Sequence, residues 1–265
     1  MQATALMAVL SPMVANAMFS STTEITADYN VTKTGVLNNA SNLFAAKYSI
    51  VGGSAATASY DPAFTVEQFS GSAILAALDA AAGTPGAPIT GLNSVTLNLY
   101  DGDEPPPQYI QYSTSVAGGL AFQFASSAAG LTQGASTPVF DTSAAGGAGG
   151  LDTQLGALDS LGTATYTPTV DNTNLAFSLS GTAGYNDILN AINSGSNFYI
   201  AVEGTTTTVA ADFGGQYGDS YYASNPTGEA YTPSLTVSVP EPASLGILAT
   251  SGLFLLGRRR RTASV

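Results

Sequence analysis

Five stretches of this chain alternate apolar and polar side chains with a period of two, and no other feature limits the fold as much. Ser94–Tyr100 puts Val95, Leu97 and Leu99 on one face, and Gly119–Phe124 does the same with Leu120, Phe122 and Phe124. Asn174–Ser180 aligns Leu175, Phe177 and Leu179; Phe198, Ile200 and Val202 form a fourth set, and Leu235, Val237 and Val239 a fifth. Ile25–Val31 and Thr163–Val170 are weaker cases. Successive side chains of a strand point to opposite faces, so each run predicts a half-buried antiparallel strand. Asp101-Gly102, Gly146-Gly147 and Asn225-Pro226 supply turn signals between them. With 265 residues, 45% of them hydrophobic, the chain can fill one shared core. The expected fold class is all-β, an antiparallel β-sandwich with a few short helices.

Three segments carry helical signals. Ser72–Ala82 is rich in helix formers and is followed by Gly83. Tyr185–Asn193 groups Ile188, Leu189 and Ile192 on one face, with Asn186 as the candidate N-cap. Leu151, Leu155 and Leu158 also recur at helical spacing. Short helices of this kind are expected to cover the ends or edges of the sheets. Asp141–Gly150 is the most flexible-looking stretch, but a division there would leave few strands in either half, so one domain over 24–239 is expected.

Charge is scarce and unevenly placed. Only 9% of residues are charged, against roughly a quarter in ordinary globular domains. The basic residues are Lys33, Lys47 and Arg258 to Arg261. The chain ahead of Pro240 therefore sets two lysines against 17 acids. Such a body repels phosphate backbones, so nucleic acid is not an expected partner. Divalent cations and neutral sugars are compatible with it. There is no Cys and no His, which removes disulfides, thiolate and imidazole metal sites, and His-dependent triads.

Both ends read as targeting segments. Ala5–Ala17 is apolar and too short to span a bilayer, and Ala15-Asn16-Ala17 has the small-x-small form of a signal-peptidase site. Residues 1–17 are therefore read as a signal peptide, either truncated at its start or weak, because Met1–Thr4 carry no positive charge. At the other end, Ala243–Gly257 is uncharged and precedes Arg258, Arg259, Arg260 and Arg261. As a helix it would be roughly 22 Å long, short of a ~30 Å hydrocarbon core. The arginines favour the cytoplasmic side, making this a temporary membrane stop. Pro240 and Pro242 bracket Glu241 and keep the preceding chain extended.

Pro240-Glu241-Pro242, a short apolar helix and an arginine cluster, in that order over 240–261, resemble the PEP-CTERM sorting signal. The resemblance implies recognition by an exosortase, an integral-membrane enzyme that removes the tail. It also implies an inner-membrane intermediate, followed by release to the cell surface or extracellular matrix. A second resemblance spans most of 24–239. The strand near Ala27-Asp28, "ITGLNS" before Val95, the Tyr185–Ala191 helix, "NFYIAVEG" and the closing Tyr222–Val239 look like the jelly-roll, carbohydrate-binding-module-like domains of the DNRLRE type. That resemblance implies a jelly-roll-like sandwich.

Two clusters have the residue types of a binding site. Asp101, Asp103 and Glu104 put three carboxylates in four residues, a donor set suited to Ca²⁺, although the spacing is not that of an EF-hand. Tyr217, Tyr221 and Tyr222 are a candidate sugar-stacking platform, with Tyr100, Tyr109 and Tyr112 a second group. Three functions are compatible with these features. The first is a non-catalytic structural or adhesive role within exopolysaccharide. The second is a carbohydrate-binding module using the tyrosines. The third is a glycan hydrolase pairing Asp101 or Asp103 with Asp212 or Asp219 across a cleft.

Overall fold

The computed structural model describes residues 18–32, 35–38, 42–49, 59–83, 88–101, 116–132, 155–170, 173–206, 209–214 and 232–240. Its strands are β1 (Met18–Glu24), β2 (Ala27–Thr32), β3 (Gly35–Asn38), β4 (Asn42–Ser49), β5 (Ser59–Ser70), β6 (Ser94–Tyr100) and β7 (Gly118–Ala125). They continue with β8 (Leu158–Tyr166), β9 (Asn174–Leu179), β10 (Asn197–Gly204), β11 (Ala210–Gly214) and β12 (Ser234–Pro240). The described residues also form the helices α1 (Gly71–Ala82) and α2 (Thr182–Ser194).

The strands form two antiparallel sheets. A four-stranded sheet has the order β1-β12-β6-β9, and an eight-stranded sheet runs β11-β4-β5-β10-β7-β8, with β2 paired to β5 and β3 to β2. The 12-residue β5 organises the larger sheet. One of its edges carries β4 near Ser59–Ala63 and then β2 over Ala63–Gln68; the other carries β10. This sheet curls until its edge strands meet. The ring of Tyr166, at the end of β8, stands edge-on to Phe213 of β11 at 5.6 Å, and a Val116–Ala210 bridge ties β11 to the approach to β7.

All five strongly alternating runs are strands, and their apolar faces meet in one core. Val95, Leu97, Leu99, Leu235 and Val237 of the smaller sheet share it with Phe69, Phe122, Phe198 and Ile200 of the larger. Phe122 and Phe177, 5.3 Å apart, join the two layers directly. The outward face of the smaller sheet carries rows of hydroxyls: the register sets Ser20, Ser238 and Ser94 in one row and Thr22, Thr236 and Thr96 in the next. Thr22 and Thr236 are hydrogen-bonded at 2.9 Å, and Asn98 Nδ2 donates to Thr236 Oγ1 at 3.0 Å. The scarcity of charge in the sequence thus corresponds to a mostly hydroxylated sheet face, with Glu24 the acid at its end.

α1 forms where the sequence predicts it. Ser70 Oγ accepts from the Ala73 N–H at 3.2 Å, and Gly83 ends the helix with φ 64°, a left-handed cap. α2 corrects the expected start: it begins at Thr182 behind Gly181, three residues before Tyr185, and Asn186 lies inside it rather than capping it. The reason is a close approach. A Cβ on Gly181 would stand 1.7 Å from the carbonyl oxygen of Ser160, so the turn into the helix admits only glycine. The helical run expected from Leu151, Leu155 and Leu158 stops short: Leu155 is helical, but Gly156 has φ 82°, which ends the helix there, and Leu158 opens β8 opposite Ala125. Leu151 lies outside the described residues.

Two weak strand expectations shift. The strand expected over Thr163–Val170 is Leu158–Tyr166, and the run from Ile25 is split as the chain crosses between sheets. At that crossing Ile25 N–H donates to Pro233 O, and Thr26 N–H donates to Gln68 O on β5. The first described strand begins at Met18. Residues 1–17, with Ala15 and Ala17, and the apolar segment with Arg258–Arg261 lie outside the described residues.

Candidate functional site

Polar groups inside an apolar core mark where the fold departs from simple packing, because each must find partners or lose its hydration uncompensated. Asp101 finds them. It follows β6, is fully buried, and bridges to Phe213 of the larger sheet. Tyr166 Oη donates to Oδ1 at 2.6 Å; Thr169 Oγ1 donates to Oδ2 at 2.8 Å, and the Thr169 backbone N–H donates to the same oxygen. Its own N–H donates to Thr173 O at 2.9 Å. Asp101 therefore fastens the smaller sheet to both edge strands of the larger one. Asp103 and Glu104, the other candidate ligands, lie outside the described residues.

The proposed hydrolytic pairing of Asp101 with Asp212 is not assembled. Asp101 bridges to Phe213, and neighbouring residues of a strand point to opposite faces, which puts Asp212 on the other side of β11 from Asp101. Asp219 and the platform residues Tyr217, Tyr221 and Tyr222 lie outside the described residues. Among the described residues, no group of three or more carboxylates is gathered as a metal cluster.

A second buried polar group was not anticipated from sequence. Glu67, in the middle of β5, is 0% exposed and lies directly opposite Asp28 of β2, also 0% exposed. Two residues along, Thr65 faces Asn30, and both are buried. Neither carboxylate oxygen of Glu67 has a hydrogen-bond partner, and neither does Thr65 Oγ1. Burial, and then the charge of Asp28, hold the Glu67 carboxyl well above the usual carboxylate range. The sequence signal is a Glu between Val66 and Gln68 of β5, among hydrophobic and polar residues alike; the juxtaposition with Asp28 depends on register.

The outer face of the larger sheet brings together tyrosines that are 170 positions apart. Tyr29 and Tyr199 have ring centroids 6.4 Å apart, and Gln68 Nε2 donates to Tyr199 Oη at 3.0 Å. Beside them Gln123 Nε2 donates to Glu203 Oε1 at 3.1 Å. Burial, then neighbouring Tyr29, push the Tyr199 phenol up, while the Gln68 hydrogen bond pulls it down.

The last feature is the C-terminal strand of the described residues. β12 lies between β1 and β6, and its register with β1 runs from Glu24–Ser234 to Met18–Pro240. The residue after Ala17 and the first proline of Pro240-Glu241-Pro242 are thus cross-strand neighbours. Pro240 occupies the strand end, where a missing N–H interrupts least of the ladder; Glu241 and Pro242 lie outside the described residues. No helix among the described residues is long and apolar enough to cross a membrane.

These features define an antiparallel two-sheet β protein whose final strand runs straight into a processing signal. Residues 238–261 match the family model described as the PEP-CTERM protein-sorting motif. The chain therefore carries a PEP-CTERM sorting signal, which implies export across the membrane, handling by an exosortase and delivery to the cell surface. No curated protein matches the chain in sequence.

Proposed function

We propose that this chain is an exported, tail-processed β-sandwich of jelly-roll-like form. Its role is non-catalytic, structural or adhesive, within the exopolysaccharide of the bacterial surface or matrix. One observation carries the reading: the matched sorting motif begins inside β12, so Pro240 is both the last residue of that strand and the first of the Pro-Glu-Pro signal. A cut beyond Pro240 removes the apolar segment and Arg258–Arg261 without taking a strand from either sheet. Cleavage after Ala17 likewise leaves β1 whole. Anchoring in the membrane is then transient. The neutral hydroxyl rows on the smaller sheet support the matrix role, since such a surface exchanges hydrogen bonds with hydroxyl-rich polymer and water at little electrostatic cost.

The test is the intact mass of the protein recovered outside exosortase-containing cells. The expected mass lacks residues 1–17 and the Arg258–Arg261 end, and Glu241→Ala leaves the chain tail-intact in the membrane fraction. Recovery of extracellular protein that retains its four terminal arginines overturns the reading.

A further inference from the structure

We propose that Asp28, Asn30, Thr65 and Glu67 form a buried binding site for Ca²⁺ between β2 and β5. The site stands apart from the sorting reading and from the Asp101–Glu104 segment. Its four residues form two direct cross-strand pairs, Asp28–Glu67 and Asn30–Thr65, on one face of adjacent antiparallel strands. Directly paired Cβ atoms lie about 5 Å apart and successive same-face positions about 7 Å, so the centre of the rectangle is roughly 4 Å from each Cβ. Carboxylate, amide and hydroxyl oxygens reach a common ion from there at the ~2.4 Å that Ca²⁺ requires.

The chemistry of the donors agrees. Two carboxylates, one amide oxygen and one hydroxyl offer up to six oxygens, with no nitrogen or sulfur, the preference of a hard cation. Thr65 supplies an indication independent of the acids: its hydroxyl is 0% exposed and has no hydrogen-bond partner. Both oxygens of Glu67 are equally unmet. The next strand gives no relief, because Ile200 and Val202 of β10 lie opposite Glu67 and Thr65. An ion at the centre satisfies all three oxygens and offsets two carboxylates in a medium that strengthens such attraction. With 0% exposure at Glu67, the ion enters as the sheet forms and remains a structural part of it.

The experiment uses the full chain stripped with EDTA, then titrated with CaCl₂ by calorimetry and followed by infrared spectroscopy. A single bound Ca²⁺ and a raised Tm are expected, together with loss of the protonated-carboxyl band as the ion displaces the Glu67 proton into solvent. Glu67→Gln and Asp28→Asn each weaken Ca²⁺ binding by roughly tenfold or more. The double variant Asp103→Asn/Glu104→Gln binds as the unaltered chain does. Absence of Ca²⁺ binding, or binding lost in the Asp103/Glu104 variant instead, overturns the proposal. So does a carboxyl band that persists at saturating Ca²⁺, a result read on the unaltered chain whether or not the Glu67 and Asp28 variants fold.

Discussion

Asp101 and Glu67 are both acidic side chains held at 0% exposure, yet the fold treats them in opposite ways. Asp101 accepts from Tyr166 Oη and from both the hydroxyl and the backbone N–H of Thr169. Glu67 accepts from nothing and faces a second acid. Burial alone therefore does not assign a role to a carboxylate. A group whose oxygens are filled by the chain's own donors is part of the framework. A group whose oxygens are empty draws its stability from a proton or an ion. The position of each in the fold reinforces the contrast: Asp101 sits where the edges of the curled sheet meet, and Glu67 sits mid-strand between two fully formed ladders.

The largest effect expected from this contrast belongs to Asp101→Asn. The amide keeps the shape but presents N–H donors where the carboxylate accepted, leaving Tyr166 Oη or the Thr169 donors unmatched in the interior. A loss of about 2–4 kcal/mol is expected, in line with breaking a buried hydrogen-bond network. Denaturant unfolding measures it, and the unaltered m-value of a two-state transition should accompany the lower midpoint. A midpoint within experimental error of the parent would mean that Asp101 is not the fastening described here.

Much of the architecture is legible in the sequence, and the two acids show where that legibility stops. Strands with one face on the core and one on solvent announce themselves by alternation; Ser94–Tyr100 was read to the residue. β5 and β11 did not, because Ala63–Glu67 and Ala210–Gly214 are buried at every position. Phe64 and Val66 pack into a second cluster on the outer face while Phe69 enters the main core, so the period-two signal disappears. The start of α2 was missed because a close backbone approach at Gly181, rather than a capping side chain, decides it. Asp101 drew notice for its acidic neighbours in sequence. Its actual partners, Tyr166 and Thr169, are 65 and 68 residues away. Glu67 drew none, since only the register of β2 on β5 sets Asp28 against it. The sorting motif is legible in sequence because its recognition depends on order along the chain, not on a fold.

The second expected effect concerns Glu67, and its sign depends on the solution. In EDTA, Glu67 carries a folded-state pKa above its unfolded value, raised first by burial and then by Asp28. Its stabilising contribution is then complete below the unfolded carboxylate range and is lost as pH rises through the folded value. Glu67→Gln cannot ionise, so the variant should gain on the parent as pH rises, whatever constant cost the buried amide adds. Unfolding free energies of both proteins across the pH range test this, and parallel curves would contradict it. Saturating Ca²⁺ should reverse the trend, because the ion favours the ionised form. In that condition the parent gains on Glu67→Gln as pH rises.

The smallest expected effect isolates one of the three bonds at Asp101. Thr169→Val keeps the β-branched shape and removes only the hydroxyl that donates to Oδ2 at 2.8 Å. The Thr169 backbone N–H still donates to that oxygen, and Tyr166 still holds Oδ1. Because Thr169 lies toward the surface, water can take the vacated position, and the loss should be about 0.5–1 kcal/mol. A double-mutant cycle with Asp101→Asn makes the comparison quantitative: once the carboxylate is gone, Thr169→Val should cost almost nothing further. Full additivity of the two substitutions would show that the hydroxyl stabilises the fold by some route other than Asp101, and would leave the backbone N–H and Tyr166 as the bonds that distinguish this acid from Glu67.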